Sequence, residues 1–533
     1  MPVSSARVLS SDPSPKGPLQ GDKLGNVAHS SATLPEVAAK SRLRHEHFPS
    51  QFLGVLVFTV LGFLVMGYHP GLEDDGVYLT AVKAELNPVL FAHGESFFRL
   101  QMEATLFDWA MAHFVQWTRV PVEWAELLWQ LGSLFTILWA AKRIANRLFV
   151  EEYARWAGVA MVAAMFTLPV AGTALLMADQ HLHPRTMATA IILLAVERIL
   201  SGRRRPAALL LGTALVLHPL MAAMGISFCL FLLMTFSDAL RAKHRARSSS
   251  PAIVMPLGWA FEPAGPAWRK ALDTRRYLWL YKWTWYQWAG ALIPLFFFWA
   301  IWRRARSRGE FVLERFAVAV FVYGVFQQVV AMALLGCAPL VRLAPFQPMR
   351  YLHLVYLFLV LVCGCFLGKL VLQRNVWRWA AFLVAANGCM FAWQRMEFSA
   401  SPQLELPGLE PANPWLQAFA WIRTNTPVDA YFALDPQYME APGEDYHSFR
   451  ALAERSQMAD AVKDPSVVTM VPELGSVWDR QVTAETGWTR FRLADFERLK
   501  TNFGADWALV SYPPPDGLGC RWHDRKLAVC RIP

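Results

Sequence analysis

Charge is absent from long stretches of this chain and dense between them. The uncharged blocks include Ser50–Leu72, Ala157–Ala178, Pro206–Ser237, Trp283–Trp302, Phe316–Val341 and Tyr351–Gly368. Each is long enough, or nearly so, to cross a ~30 Å hydrocarbon core at ~1.5 Å per helical residue. Shorter candidates are Leu127–Ala141, Thr186–Val196 and Trp379–Gln394. Only 17% of the 533 residues are charged, where a soluble domain carries about a quarter. These blocks predict an α-helical polytopic membrane protein with about 9–11 transmembrane helices between residues 49 and 395.

The net charge of +10 raises the question of nucleic acid. The basic residues, though, sit in short clusters beside the apolar blocks: Lys40 to Arg44, Lys142-Arg143, Arg203–Arg205, Arg303-Arg304 and Lys369 to Arg378. That is the pattern of cytoplasmic loops facing anionic lipid, so the expected partner is the bilayer and not nucleic acid. Residues 1–48 are polar and aperiodic and read as a disordered cytoplasmic tail. The run from Phe52 reads as a signal-anchor helix that delivers residues 68–120 outside, with helices over Val77–Leu90 and Phe97–Thr118 lying in the interface.

Pro206–Ser237 decides the topology beyond it. A hairpin tipped at His218-Pro219 puts Arg241–Arg247 inside but leaves two later basic clusters outside. A single crossing kinked at Pro219 breaks the positive-inside rule once and is preferred. It places Trp283–Trp288, Arg342–Arg350 and the tail outside. Residues 396–533 read as a soluble, external α/β domain, with helices over Pro414–Thr424 and Leu493–Asn502 and strands over Ala430–Leu434 and Trp507–Tyr512. Five of the seven cysteines lie in or at apolar blocks, whereas Cys520 and Cys530 flank a polar hairpin where a disulfide would suit an oxidising compartment.

The residues able to carry chemistry cluster in the external loops. Glu73-Asp74-Asp75 follows the first apolar block directly. Adjacent carboxylates repel, so holding them together calls for a cation nearby. Mg²⁺ or Mn²⁺ on Asp74 and Asp75 would suit these oxygen ligands; one carboxylate acting as general base toward an acceptor hydroxyl is the other reading. Asp179, His181, His183 and Arg185 share the next external turn, where Asp and His can shuttle protons and an arginine at a helix start can hold phosphate. His218 is expensive inside a membrane unless it pairs or lines a cavity. Arg342 and Arg350 precede an apolar block, where a guanidinium can grip a lipid phosphate. Trp283 and Trp285 belong either to an aromatic belt at the bilayer surface or to a sugar-stacking platform. No nucleotide-binding loop and no serine elbow is present.

Together the segments GYHPGLEDDGVYL (67–79), HGESFF (93–98), DQHLHPR (179–185), LHPLMA (217–222), WTWYQW (283–288), QPMRYL (347–352), WIRTNTPVDAYF (421–432) and FRALAERS (449–456) resemble the GT-C superfamily of integral membrane glycosyltransferases. More closely, they resemble a group of largely uncharacterised bacterial multi-pass membrane proteins within or near it. The resemblance implies a bacterial cytoplasmic membrane protein that moves a sugar from a polyprenyl-phosphate donor to an acceptor at the outer face. It places Asp74 and Asp75, with Glu73 beside them, at the active centre and Asp179 in the second loop. Many members carry a spaced acidic pair, and the adjacent carboxylates here depart from it. The competing expectation is a transporter or non-enzymatic assembly factor, against which stands the lack of an internal repeat.

Overall fold

The computed structural model describes residues 48–236 and 265–533. The N-terminal segment 1–47 and the basic stretch Arg241–Arg247 lie outside the described residues. Within them the chain is mostly helical, with a small sheet near the C-terminus. Four stretches are long and apolar enough to cross a membrane: Pro49–Met66, Pro219–Phe236, Phe311–Gly336 and Pro339–Leu372.

Helix α1 (Phe48–Met66) leads to α2 (Asp75–Leu86), α3 (Ser96–Met102), α4 (Phe107–Thr118), α5 (Val122–Leu148) and α6 (Glu152–Ala164). Helix α2 stops before Asn87-Pro88, since a residue preceding proline is pushed out of the helical region. The helix expected over Phe97–Thr118 is two helices, because a turn intervenes and the Leu106 N–H is used on Val216 O at 3.1 Å.

The block Ala157–Ala178 is also not one helix. Helix α6 ends at Ala164 and a two-residue hairpin follows, β1 (Pro169–Val170) with β2 (Leu175–Leu176). Proline removes a helix donor, and Gly172 at φ +64° turns the chain. A Cβ on Gly172 would lie 2.3 Å from the Trp283 ring, so only glycine lets that indole close over the turn.

Helix α7 (Pro184–Leu200) begins with proline at its first position and His183 as its N-cap. Helices α8 (Arg204–Leu217) and α9 (Pro219–Phe236) are separated by His218. This corrects the single kinked crossing. His218 returns to the end of the bundle where α7 starts, with its ring 6.1 Å from that of His183, so α8 and α9 form a hairpin. Phe236, at the end of α9, packs on Phe311, while α10 (Pro266–Asp273) packs on the tail. The tail lies on the side of residues 67–75, where Tyr68 bonds Gln403 and Glu73 bonds Tyr446 and Lys463, and α8 and α9 fold back on one another.

Helices α11 (Trp285–Arg308) and α12 (Phe311–Gly336) pair through Gly309, which is left-handed at the C-cap of α11. A run of 3₁₀ turns then leads to α13 (Tyr351–Leu367) and α14 (Val376–Glu397).

The tail contains helix α15 (Pro414–Asn425) and a five-stranded sheet in the order β4-β3-β5-β7-β6, formed by β3 (Tyr431–Ala433), β4 (Ser456–Gln457), β5 (Trp507–Ser511), β6 (Gly519–His523) and β7 (Leu527–Arg531). Strand β3 runs parallel to β4 and β5, and β7 is antiparallel to β5 and β6. Alternation sends Trp507 and Leu509 into one apolar layer and Ala508 and Val510 into the other. Cys520 and Cys530 are bonded across β6 and β7.

The core nevertheless crosses the boundary at 396. Val82, Phe97 and Phe107 from the first loop pack in one cluster with Trp268, Val467 and Trp478. Burial of that shared surface welds loop, α10 and tail into one body with the helices.

Candidate functional site

The chain leaves α1 through Gly67 to Asp75, and the tail holds this loop in shape. Gly71 sits at φ +77°, and a Cβ there would lie 2.6 Å from Leu452. Its N–H donates to Asp75 Oδ2 at 2.8 Å. Glu73 is left-handed at φ 47°, a conformation costing a residue with a Cβ about 1–2 kcal/mol. Two bonds from the tail offset it: the Glu73 N–H donates to Tyr446 O at 2.9 Å, and Lys463 Nζ donates to Glu73 Oε2 at 3.0 Å.

Asp74 and Asp75 turn to different partners. Asp74 Oδ2 receives His183 Nε2 at 3.3 Å and lies 3.9 Å from Arg185 Nη1, while Lys463 Nζ is 3.7 Å from Oδ1. Asp75 is buried, with Lys83, His181 and Glu126 as its neighbours. Their acidities are driven apart. Burial works to raise Asp74, but Lys463, the His183 hydrogen bond and Arg185 hold it well below the ordinary carboxylate value. At Asp75 burial wins over His181, the Gly71 N–H and Glu126, and the pKa is raised. Neighbouring carboxyls pushed apart in this way take different roles. Asp74 is the more acidic member, and its side chain keeps 35% exposure; Asp75 fastens the turn.

His183 is fixed by two bonds. The Arg185 N–H donates to Nδ1 at 2.9 Å, which assigns the proton to Nε2, where it faces Asp74. Burial and the Arg185 charge push its pKa down to about 4, so the ring is a neutral donor. Asp179 is spent on positioning: its carboxylate receives Arg185 Nη2 at 2.6 Å and Thr186 Oγ1 at 3.0 Å. Burial opposes its charge, but Arg185 dominates and lowers its pKa. His181 is buried beside them, its ring 6.0 Å from that of His183, with no hydrogen-bond partner on either nitrogen among the described residues.

His218 extends the cluster. Its Nδ1 receives the Met221 N–H at 3.3 Å, and Arg350 Nη1 lies 3.5 Å from Nε2. A neutral imidazole has one acceptor nitrogen. With Nδ1 spent on the helix start, Nε2–H and the guanidinium turn two donors toward one space, an arrangement an oxyanion would satisfy. Arg350 is aimed by Gln347, whose Oε1 accepts from Nε at 2.6 Å.

The fold thus gathers Glu73, Asp74, Asp179, His181, His183, Arg185, His218 and Arg350, expected from sequence, and adds Lys463. Lys463 stands 390 positions from Glu73 in a stretch with no distinguishing pattern, so nothing local could have singled it out. Three expected residues lie elsewhere. Trp283 covers Gly172 and donates from Nε1 to Tyr277 O at 3.0 Å. Trp285 is 81% exposed at the start of α11, as in an aromatic belt. Arg342 stacks over Trp268.

A cation shared by Asp74 and Asp75 does not fit this arrangement. Asp74 already faces Lys463 and Arg185, which would repel Mg²⁺ or Mn²⁺, and Asp75 turns to Gly71 and Glu126.

An apolar groove lies across Leu335 from Arg350. A cavity of about 580 Å³ is lined by Trp279, Tyr281, Trp283, Trp288, Met332 and Leu335, among others. Leu335 also lines a small neighbouring cavity with Gly172, Tyr277, Gln347 and Arg350. Comparison with known protein families finds none that matches the chain, and comparison with curated proteins finds no match either.

Proposed function

We propose that the protein is a GT-C-like glycosyltransferase that moves a sugar from a polyprenyl phosphate to an acceptor hydroxyl at the outer face of a bacterial cytoplasmic membrane. In this reading α1, α5 to α9 and α11 to α14 form the membrane domain, and the end bearing Asp74 and the tail faces outward. The disulfide in the tail suits an oxidising compartment on that side.

The observation that carries the reading is one ionised, partly exposed carboxylate, Asp74, set against a cluster of donors that ends at Arg350 beside an apolar groove. Each part has a job in such a transfer. The groove takes the prenyl chain. Arg350 and His218 Nε2–H hold the phosphate, whose charge grows as the C1–O bond to the sugar breaks and the electron pair leaves with it. The acceptor oxygen bonds to C1, and its proton passes to Asp74. A carboxylate kept ionised is always ready to accept, though its low pKa limits the driving force.

The test is turnover of polyprenyl-phosphate sugars by the purified protein. Asp74→Asn should cut it roughly 10²- to 10⁴-fold, and Arg350→Ala should lower it through weaker donor binding. Undiminished transfer in both ends the proposal. Uptake of substrate into liposomes with no covalent product would replace it with a transporter.

A further inference from the structure

We propose that His69, Glu405 and His447 form a zinc site that clamps the tail to the loop leading to Asp74. Three distant parts of the chain supply it: the loop after α1, the connector after α14 and the tail. His69 and His447 are fully buried and the Glu405 side chain is 10% exposed.

The atoms are spaced as ligands. Glu405 Oε2 lies 3.3 Å from His69 Nδ1 and 2.9 Å from His447 Nε2, and the three donor atoms all fall within 4.8 Å of one another. Zinc–ligand bonds of about 2.0–2.1 Å give a tetrahedral edge of roughly 3.4 Å. Two edges are therefore near that length already, and the third closes by a small ring movement. Two histidines and one carboxylate with a fourth position open suit Zn²⁺.

Independent features point to a ligand. Among the described residues neither ring nitrogen of His69 makes a hydrogen bond, Nδ1 facing the Glu405 carboxylate at 3.3 Å, and Glu405 Oε1 makes none either. A buried imidazole without a well-formed hydrogen bond is costly, and a cation between Nδ1 and the Glu405 carboxylate would satisfy that nitrogen. His447 has the outer partner that metal-bound histidines use: Nδ1 lies 3.2 Å from Glu444 Oε1, leaving Nε2 for the ion. His69 is held flat against Phe398, with centroids 4.3 Å apart.

The backbone brings the three segments together without the ion. Tyr68 bridges Leu404 and Leu72 bridges His447, with Tyr68 N–H donating to Gln403 O at 3.0 Å and Glu405 N–H to Tyr68 O at 2.9 Å. A zinc ion here would lock the turn that presents Asp74. The inference stands apart from the sugar-transfer reading, because it concerns an ion and not the reaction.

The experiment is elemental analysis of the full-length protein purified in detergent, stripped with chelator and reloaded with Zn²⁺. One tightly held zinc per chain is expected, with loading raising the thermal midpoint. His69→Gln and Glu405→Gln should lose the ion while keeping a monodisperse elution profile and the helical circular dichroism. Glu444→Gln should keep the site but weaken zinc roughly 10- to 100-fold. Cobalt in its place should give the visible absorption of a four-coordinate ion. Failure of the wild type to retain zinc after reloading would overturn the proposal, leaving a buried imidazolium–carboxylate network. Undiminished zinc in folded His69→Gln and Glu405→Gln would overturn it equally.

Discussion

Two buried arginine–carboxylate pairs sit in this molecule and do opposite things. In the tail, Arg450 grips Asp464 with two parallel bonds, Nη1 to Oδ1 at 2.6 Å and Nη2 to Oδ2 at 2.8 Å. Asp464 Oδ2 also accepts the Asp460 N–H at 2.9 Å, and the guanidinium lies over the Phe97 ring. That pair is bidentate, and it ties the tail to the first loop. At the end of the bundle, Arg185 makes one short bond to Asp179 and lies near Asp74, beside histidines with spare donors. A bidentate pair is scaffold. A cluster whose donors outnumber its acceptors is ready for an anion.

The contrast can be broken most severely in the tail. Arg450→Met leaves Asp464 buried without its partner and should cost about 3–5 kcal/mol of stability, read from chemical unfolding in detergent. Loss of well under 1 kcal/mol would deny that the pair is scaffold. Asp74→Asn should behave in the opposite way, lowering transfer by orders of magnitude while leaving the unfolding midpoint nearly unchanged, since its side chain is partly exposed.

A pH titration sharpens the difference further. His183 has a folded pKa of about 4 against an ordinary 6.5. Between those values the unfolded chain takes a proton that the folded protein refuses, so stability falls as pH drops from 6.5 through 4. His183→Gln should flatten the slope in that window. An identical slope in the variant would assign it to other groups. The smallest effect is expected at Trp285, exposed at the start of α11: Trp285→Ala should change stability by no more than ~0.5 kcal/mol and leave turnover intact. A large loss of turnover would restore the sugar-stacking role.

Much of the site was legible locally. Asp74 follows an apolar block, and DQHLHPR sits at a helix start, so sequence alone puts Asp179, His183 and Arg185 in one turn. Helix positions were equally readable, because burial in an apolar medium shows as runs without charge. Boundaries failed where a proline or glycine broke a run. Pro169 and Gly172 ended the block begun at Ala157, and His218-Pro219 made a hairpin instead of a kink.

The division between Asp74 and Asp75 was not legible at all. The two are neighbours of the same type, and sequence treats them alike. Their acidities separate because the fold gives one Lys463, Arg185 and His183 while burying the other beside Glu126. Composition and apolar runs determined by themselves that this chain is mostly helical and carries membrane-type helices, since those properties follow from local hydrophobicity. Only the tertiary structure decided which carboxylate is the more acidic, that Lys463 and Arg450 of the tail reach the first loop, and that His69, Glu405 and His447 meet. Most of those are contacts between residues hundreds of positions apart, and packing sets them where no pattern along the chain records them.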